Sequence, residues 1–95
     1  MKDYQLCVSE LSWNTTERKL ETIFSIIGEV KNVTLIRNSI SGESLGKAFI
    51  SMGKESDVKT AVQVLDRKEV NGRRIRVSMM SLSDKSFTKA ILLNA

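Results

Sequence analysis

Val33 follows Leu6 by 27 positions, and Ile75 follows Ala48 by the same 27. Each of the four lies in a short run where apolar and polar residues alternate, the period of a half-buried strand. A helix-spaced stripe separates the members of each pair, and its anchors keep step too: Leu20 comes 14 after Leu6, and Val62 comes 14 after Ala48. Ninety-five residues make a single domain, so two matched strand–helix–strand halves must share one core. Both helices can then cover only one face of the four-stranded sheet. The other face is wet, or it is used.

The elements follow from local pattern. "YQLCVS" (4–9) is extended, with Leu6 and Val8 on one side. Thr16 is placed to cap a helix, Glu17 sits in its first turn, and Leu20, Ile23, Phe24 and Ile27 recur at helical spacing. A helix is expected over 17–27, ended by Gly28. "VKNVTLIR" (30–37) is a strand with Val33 and Leu35 inward; "NSISGESLG" (38–46) is a loop leading into the strand "LGKAFISM" (45–52). A second helix over 54–65 buries Val58, Ala61, Val62 and Leu65. Asn71-Gly72 signals a tight turn before a last strand, 74–78, with Ile75 and Val77 inward. Together these predict an α+β fold of the ferredoxin-like, split βαβ class: order βαββαβ, a four-stranded antiparallel sheet, two helices on one face.

The strand at 45–52 carries an anomaly. Gly46, Ala48, Ile50 and Met52 form a small or apolar face, whereas the opposite, supposedly wet face carries Lys47 and the large ring of Phe49. Charge is uneven as well. Residues 1–53 hold six basic and six acidic side chains, and residues 54–95 hold nine and five, so the whole excess of +4 lies in the second half. Most of it is in "RKEVNGRRIR" (67–76), a solvated turn if taken alone and an electrostatic footprint beside a nucleic-acid platform. Histidine is absent, which excludes nucleophile–histidine pairs and histidine metal sites. No phosphate-cradling glycine loop occurs. The expectation is a protein that is not an enzyme, with no cofactor, no metal and no catalytic residue. Without a long apolar run or a basic-then-apolar leader, and with one cysteine, the chain reads as intracellular and off the membrane.

"LCVSEL" (6–11) and "LGKAFISM" (45–52), with the flanks "TTERKLETIFSIIGEVKNVTLIRN" (15–38) and "AVQVLDRKEVNGRRIRVS" (61–78), resemble the RNA recognition motif family over about residues 4–80. The first two segments occupy the places of that family's hexamer and octamer. The resemblance implies that both motifs lie on central strands, where three aromatic side chains stack on bases. Those places are Cys7, Lys47 and Phe49 here, and only Phe49 is aromatic. The octamer opens with Leu45 instead of a basic residue, and Glu10 stands where asparagine or aspartate is usual in the hexamer. Stacking contributes ~1–3 kcal/mol per base, so two missing platforms remove roughly 2–6 kcal/mol, about two to four powers of ten in affinity. Lys47 recovers part of this through a phosphate or base edge.

The resemblance therefore implies a single-stranded RNA-binding module, weak or assisted, with Phe49 as anchor. Trp13, Arg37, Arg76, Ser78 and Met80 are the residues that assist, together with Lys47 and Cys7. Trp13 either touches RNA or plugs the first helix, and Arg37 and Arg76 are expected to flank the open face. Residues 1–82 form the motif domain and 83–95 an extension. Within it Ser83 can cap a third helix with Phe87, Ala90 and Ile91 at helical spacing, lying on the sheet near Cys7, Ile36 and Phe49. The competing reading is a protein-interaction domain on the same fold, contacting other modules through the sheet face or the C-terminal segment. The stretch 65–78 is similar to segments of multi-domain splicing factors, which points to nuclear RNA processing.

Overall fold

The computed structural model describes residues 4–79. The third helix expected over 83–94 and Met80 lie outside the described residues. β1 (Tyr4–Ser9) leads through a loop into α1 (Glu17–Ser25), followed by β2 (Val30–Arg37), β3 (Ser44–Met52) and α2 (Glu55–Leu65). Two short strands, β4 (Glu69–Val70) and β5 (Arg73–Arg74), form a hairpin before β6 (Arg76–Met79). The main sheet has the order β2-β3-β1-β6, and every neighbouring pair is antiparallel. The hexamer and octamer strands, β1 and β3, are thus the central pair.

α1 starts where its sequence says it should. The Thr16 hydroxyl accepts from the Lys19 amide at 3.2 Å, satisfying a donor that the first turn leaves open. Its end differs from the expectation: the helix closes at Ser25, and Ile27 and Gly28 both turn their amides back to the Phe24 carbonyl. Gly28 does not take the left-handed conformation of a helix stop. A glycine is needed there for space, because a Cβ would run into the Asp57 carboxylate of α2.

One face of the sheet and both helices make the core. Leu6 and Val8 of β1, Ala48, Ile50 and Met52 of β3, Leu35 of β2 and Val77 of β6 are buried against Leu20, Ile23 and Phe24 of α1 and Val58, Ala61 and Leu65 of α2. Each large apolar side chain buried in this way stabilises the fold by roughly 1.5–3 kcal/mol. α1 lies against β2, and α2 lies across β1 and β6.

The strand expected over 74–78 is divided. Ile75 donates to the Lys68 carbonyl at 3.0 Å and accepts from the Arg67 amide at 2.7 Å, so the chain there pairs with the segment after α2 before joining β1. Asn71 and Gly72 turn the hairpin with φ of 51° and 85°. The Asn71 amide donates to the buried Thr15 hydroxyl at 3.2 Å, which fastens the hairpin to the β1–α1 loop.

β3 carries a bulge. Leu35 pairs with Ala48 and Arg37 with Ser44, so two steps along β2 match four along β3. Gly46 sits in the bulge with φ +76°, and a Cβ would stand 3.1 Å from the Leu11 carbonyl oxygen. The Leu11 amide donates to the Gly46 carbonyl at 3.0 Å. The bulge thereby holds the loop that carries Trp13.

Candidate nucleic-acid interface

The register of the four strands sets one row of side chains across the face away from the helices. Thr34 pairs with Phe49, Phe49 with Cys7, and Cys7 with Ser78. Ser9 and Arg76 pair one step along, on the side where Lys47 precedes Phe49 by two residues. Gln5, Ser51 and Asn32 form the row on the other side. The structure thus brings Phe49, Cys7, Lys47, Arg76 and Ser78 onto one surface, with Phe49 the single aromatic in the row.

Phe49 lies on that face but is not wet: its residue is 8% exposed, and it stands outside the core cluster. Ser51, two residues on, is 9% exposed. This corrects the expectation of an open ring. Cys7 is half-buried beside it. Lys47 is exposed and makes no ion pair among the described residues.

The two arginines differ from each other. Arg76 is exposed at the edge strand β6, and its Nε donates to Asp66 Oδ1 at 3.2 Å. The same oxygen accepts from the Val77 amide at 2.8 Å. That amide, then the Arg76 guanidinium and the nearby charge of Arg67, hold the Asp66 carboxyl below the ordinary aspartate value against the opposing effect of burial. The terminal nitrogens of Arg76 remain available. Arg37, in contrast, does not flank the sheet face. It donates from Nη2 to Glu17 Oε1 at 2.8 Å and from Nη1 to the Gly42 carbonyl at 3.2 Å, which turns it toward the start of α1. Arg37 shares the parity of Val33 and Leu35 along β2, which carries its side chain to the helix side of the sheet, and ending the strand does not bring it round to the other face. Glu17 is held below its ordinary value first by its own backbone amide and then by Arg37, with burial opposing.

Trp13 is 82% exposed, so it plugs nothing. It lines a cleft of about 260 Å³ with Arg37, Glu43 and Ser44. Glu43 and Ser44 were invisible to sequence reasoning as site residues, because only the bulge at Gly46 brings them opposite the β1–α1 loop. Thr34 was legible in principle, since it alternates with Val33 and Leu35. Among the described residues no cluster of three or more metal-binding side chains occurs, and no helix is long and apolar enough to cross a membrane.

The model of the RNA recognition motif family matches residues 6–76. The chain is similar to the mitochondrial glycine-rich RNA-binding protein 4 of Arabidopsis thaliana, 39% identical over 75 residues that cover 79% of this chain and 55% of that protein. It is 35% identical over 74 residues to the U1 small nuclear ribonucleoprotein 70 kDa of Xenopus tropicalis, covering 78% of this chain and 16% of the relative. This chain thus spans little more than half of one relative and a small part of the other. Among solved structures it resembles a Sex-lethal protein–RNA complex with a TM-score of 0.81 at 28% identity, over 88% of this chain and 50% of that one.

Proposed function

The chain belongs to the RNA recognition motif family, and on that premise we propose that it is a single-stranded RNA-binding module working through the sheet face opposite the helices. One observation carries the proposal: the register sets Thr34, Phe49, Cys7 and Ser78 side by side, with Lys47 and Arg76 exposed one step along. Phe49 stacks on a base. Lys47 and the free end of Arg76 take phosphates, and Ser78 offers a hydroxyl at the exit of the last strand. With one stacking ring in place of three, the face alone binds weakly, and binding in the parent protein is assisted.

For the parent process we propose nuclear RNA processing, with splicing as the specific form. The likeness to the U1 70 kDa protein supports it, and the mitochondrial name of the other relative is the competing assignment. Imaging the tagged full-length protein in cells decides between the compartments.

The test of the interface is an NMR titration with short single-stranded RNAs. Amide shifts concentrated at Lys47, Thr34, Cys7 and Arg76 are expected. Phe49→Ala should weaken binding by ~1–3 kcal/mol. At 8% exposure the ring is buried in the free protein, so a stability cost accompanies the change and the loss of RNA affinity is the deciding readout. A large stability loss with unchanged RNA affinity overturns the assignment of Phe49. A sheet that ignores RNA but shifts with a protein partner would mark an interaction domain on this fold.

A further inference from the structure

The Trp13 cleft lies off the sheet face, where the β1–α1 loop meets the end of β2 and the start of β3. A large ring left 82% exposed is unusual, because a tryptophan is highly buried on average. Its loop is nevertheless fixed. Thr15 donates to the Ser12 carbonyl at 3.0 Å, Leu11 to Gly46 at 3.0 Å, and Asn71 ties Thr15 to the hairpin. The opposite wall is equally fixed: Asn38 donates to the Glu43 carbonyl at 2.7 Å, and its side chain accepts from the Ile40 and Ser41 amides at 2.8 and 3.0 Å. An exposed ring on a rigid loop facing a rigid wall is a prepared stacking platform.

The polar groups of the cleft are complementary to a nucleotide. Arg37 is oriented by Glu17 and the Gly42 carbonyl, and it keeps donors beyond those two contacts. The Ser44 hydroxyl accepts from the Gly46 amide at 3.1 Å, which leaves its own proton to donate. The Glu43 carboxylate makes no hydrogen bond or ion pair among the described residues, although the backbone of Glu43 is well held. A carboxylate with two open oxygens takes a partner that presents two adjacent donors. Guanine does so with N1–H and its exocyclic amine. Adenine and cytosine place a bare ring nitrogen beside their amine, and uracil flanks its N–H with carbonyls, so each sets an acceptor against the carboxylate.

We propose that the cleft between Trp13 and Glu43 is a second nucleotide subsite selective for guanine, extending the RNA path past the edge of the sheet. The base stacks on Trp13, its Watson–Crick edge meets Glu43, and Arg37 or the Ser44 hydroxyl takes the adjoining phosphate. The volume, about 260 Å³, lies just below the roughly 300–1,000 Å³ of pockets for drug-sized ligands, the scale of a single base. The subsite rests on the RNA-binding reading of the family face and supplies the assistance that one sheet aromatic requires.

Trp13 is the single tryptophan of the chain, so its fluorescence reports this cleft alone. The full chain is titrated with a uridine hexamer and with the same hexamer carrying one guanosine, while NMR follows the sheet amides in parallel. Quenching of Trp13 by the guanosine hexamer, with about tenfold tighter binding than the uridine hexamer, is expected from one bidentate base contact. Glu43→Gln should abolish that preference, so that the two hexamers bind alike, and the exposed position of Glu43 leaves the fold intact. Sheet amides that shift while Trp13 stays silent would overturn the subsite and leave the sheet interface standing. A preference for guanosine that survives Glu43→Gln would overturn the base assignment. Silence at both places would overturn the RNA reading itself.

Discussion

Asp66 and Arg76 are joined across the end of α2 and the edge strand β6, with Arg76 Nε 3.2 Å from Asp66 Oδ1. The contact positions a guanidinium assigned to RNA, and it also closes the sheet's free edge, because the same carboxylate oxygen accepts from the Val77 amide at 2.8 Å. The proposed RNA contact and the fold therefore lean on one titratable group, Asp66.

The folded-state pKa of Asp66 is lowered, chiefly by the Val77 amide. The unfolded chain binds the proton more readily than the folded one, so the stabilisation is complete above the ordinary aspartate value of ~3.9. It is lost as pH falls through the depressed folded value. Glu17 is shifted in the same direction and adds a second acid-side loss. Asp66→Asn should flatten the decline of melting temperature on the acid side and cost about 1 kcal/mol at neutral pH, where the charge-assisted bonds are present. Thermal melts between neutral pH and the carboxylate range check it, and an unchanged acid limb sinks it.

Gly46 is the second structural dependency of the site. It holds φ +76° inside the bulge, and its missing side chain leaves room for the Leu11 carbonyl. Gly46→Ala should destabilise the fold by about 1–3 kcal/mol through backbone strain. It should also alter the Trp13 environment, because the Leu11–Gly46 bond holds that loop. Chemical denaturation measures the first effect and Trp13 fluorescence the second. Ordinary stability would show that the backbone relaxes at no cost.

The legibility of this fold was uneven, for physical reasons. Leu6, Ala48 and Ile75, found through a shared spacing, are all fully buried, because strand and helix periods are local properties that tertiary packing here obeys. Gly28 was read as a helix stop, whereas its need arises from Asp57 on another helix, a contact no local pattern encodes. The strand at 74–78 broke because Ile75 finds partners at Arg67 and Lys68 before the chain reaches β1. At the site, alternation alone put Lys47, Phe49 and Arg76 on the outer side. Arg37 was expected beside the face only because it ends β2, whereas its parity with Val33 and Leu35 sends it to Glu17 on the helix side; the bulge at Gly46 assembled the Trp13 cleft out of sight of the sequence.

Arg74 and Arg76 are both exposed, and Arg76 keeps its terminal nitrogens free while Nε is held by Asp66. Replacing both with glutamine should lower affinity for every single-stranded RNA alike. Each lost phosphate contact should reduce the slope of log affinity against log salt by about 0.7. Fluorescence or calorimetric titrations across a salt series provide the measurement. An unchanged slope would place the phosphate contacts elsewhere.

The last prediction addresses the covered ring. Phe49 faces away from the helices and stands outside the core cluster, yet it is 8% exposed. A base cannot stack on it unless the cover gives way, so binding must include the cost of opening. The sequence-based expectation of a helix over 83–94 resting on the sheet lies outside the described residues, and truncation tests it. If that expectation holds, ending the chain after Ser81 tightens RNA binding and raises the solvent exposure of Phe49 and Ser51. A population-shift argument bounds the gain: if the open state is a tenth of the molecules, truncation can improve the apparent affinity at most about tenfold. Sheet amide shifts that do not change on truncation would remove the segment as the cover, and weaker binding would make it part of the RNA site instead.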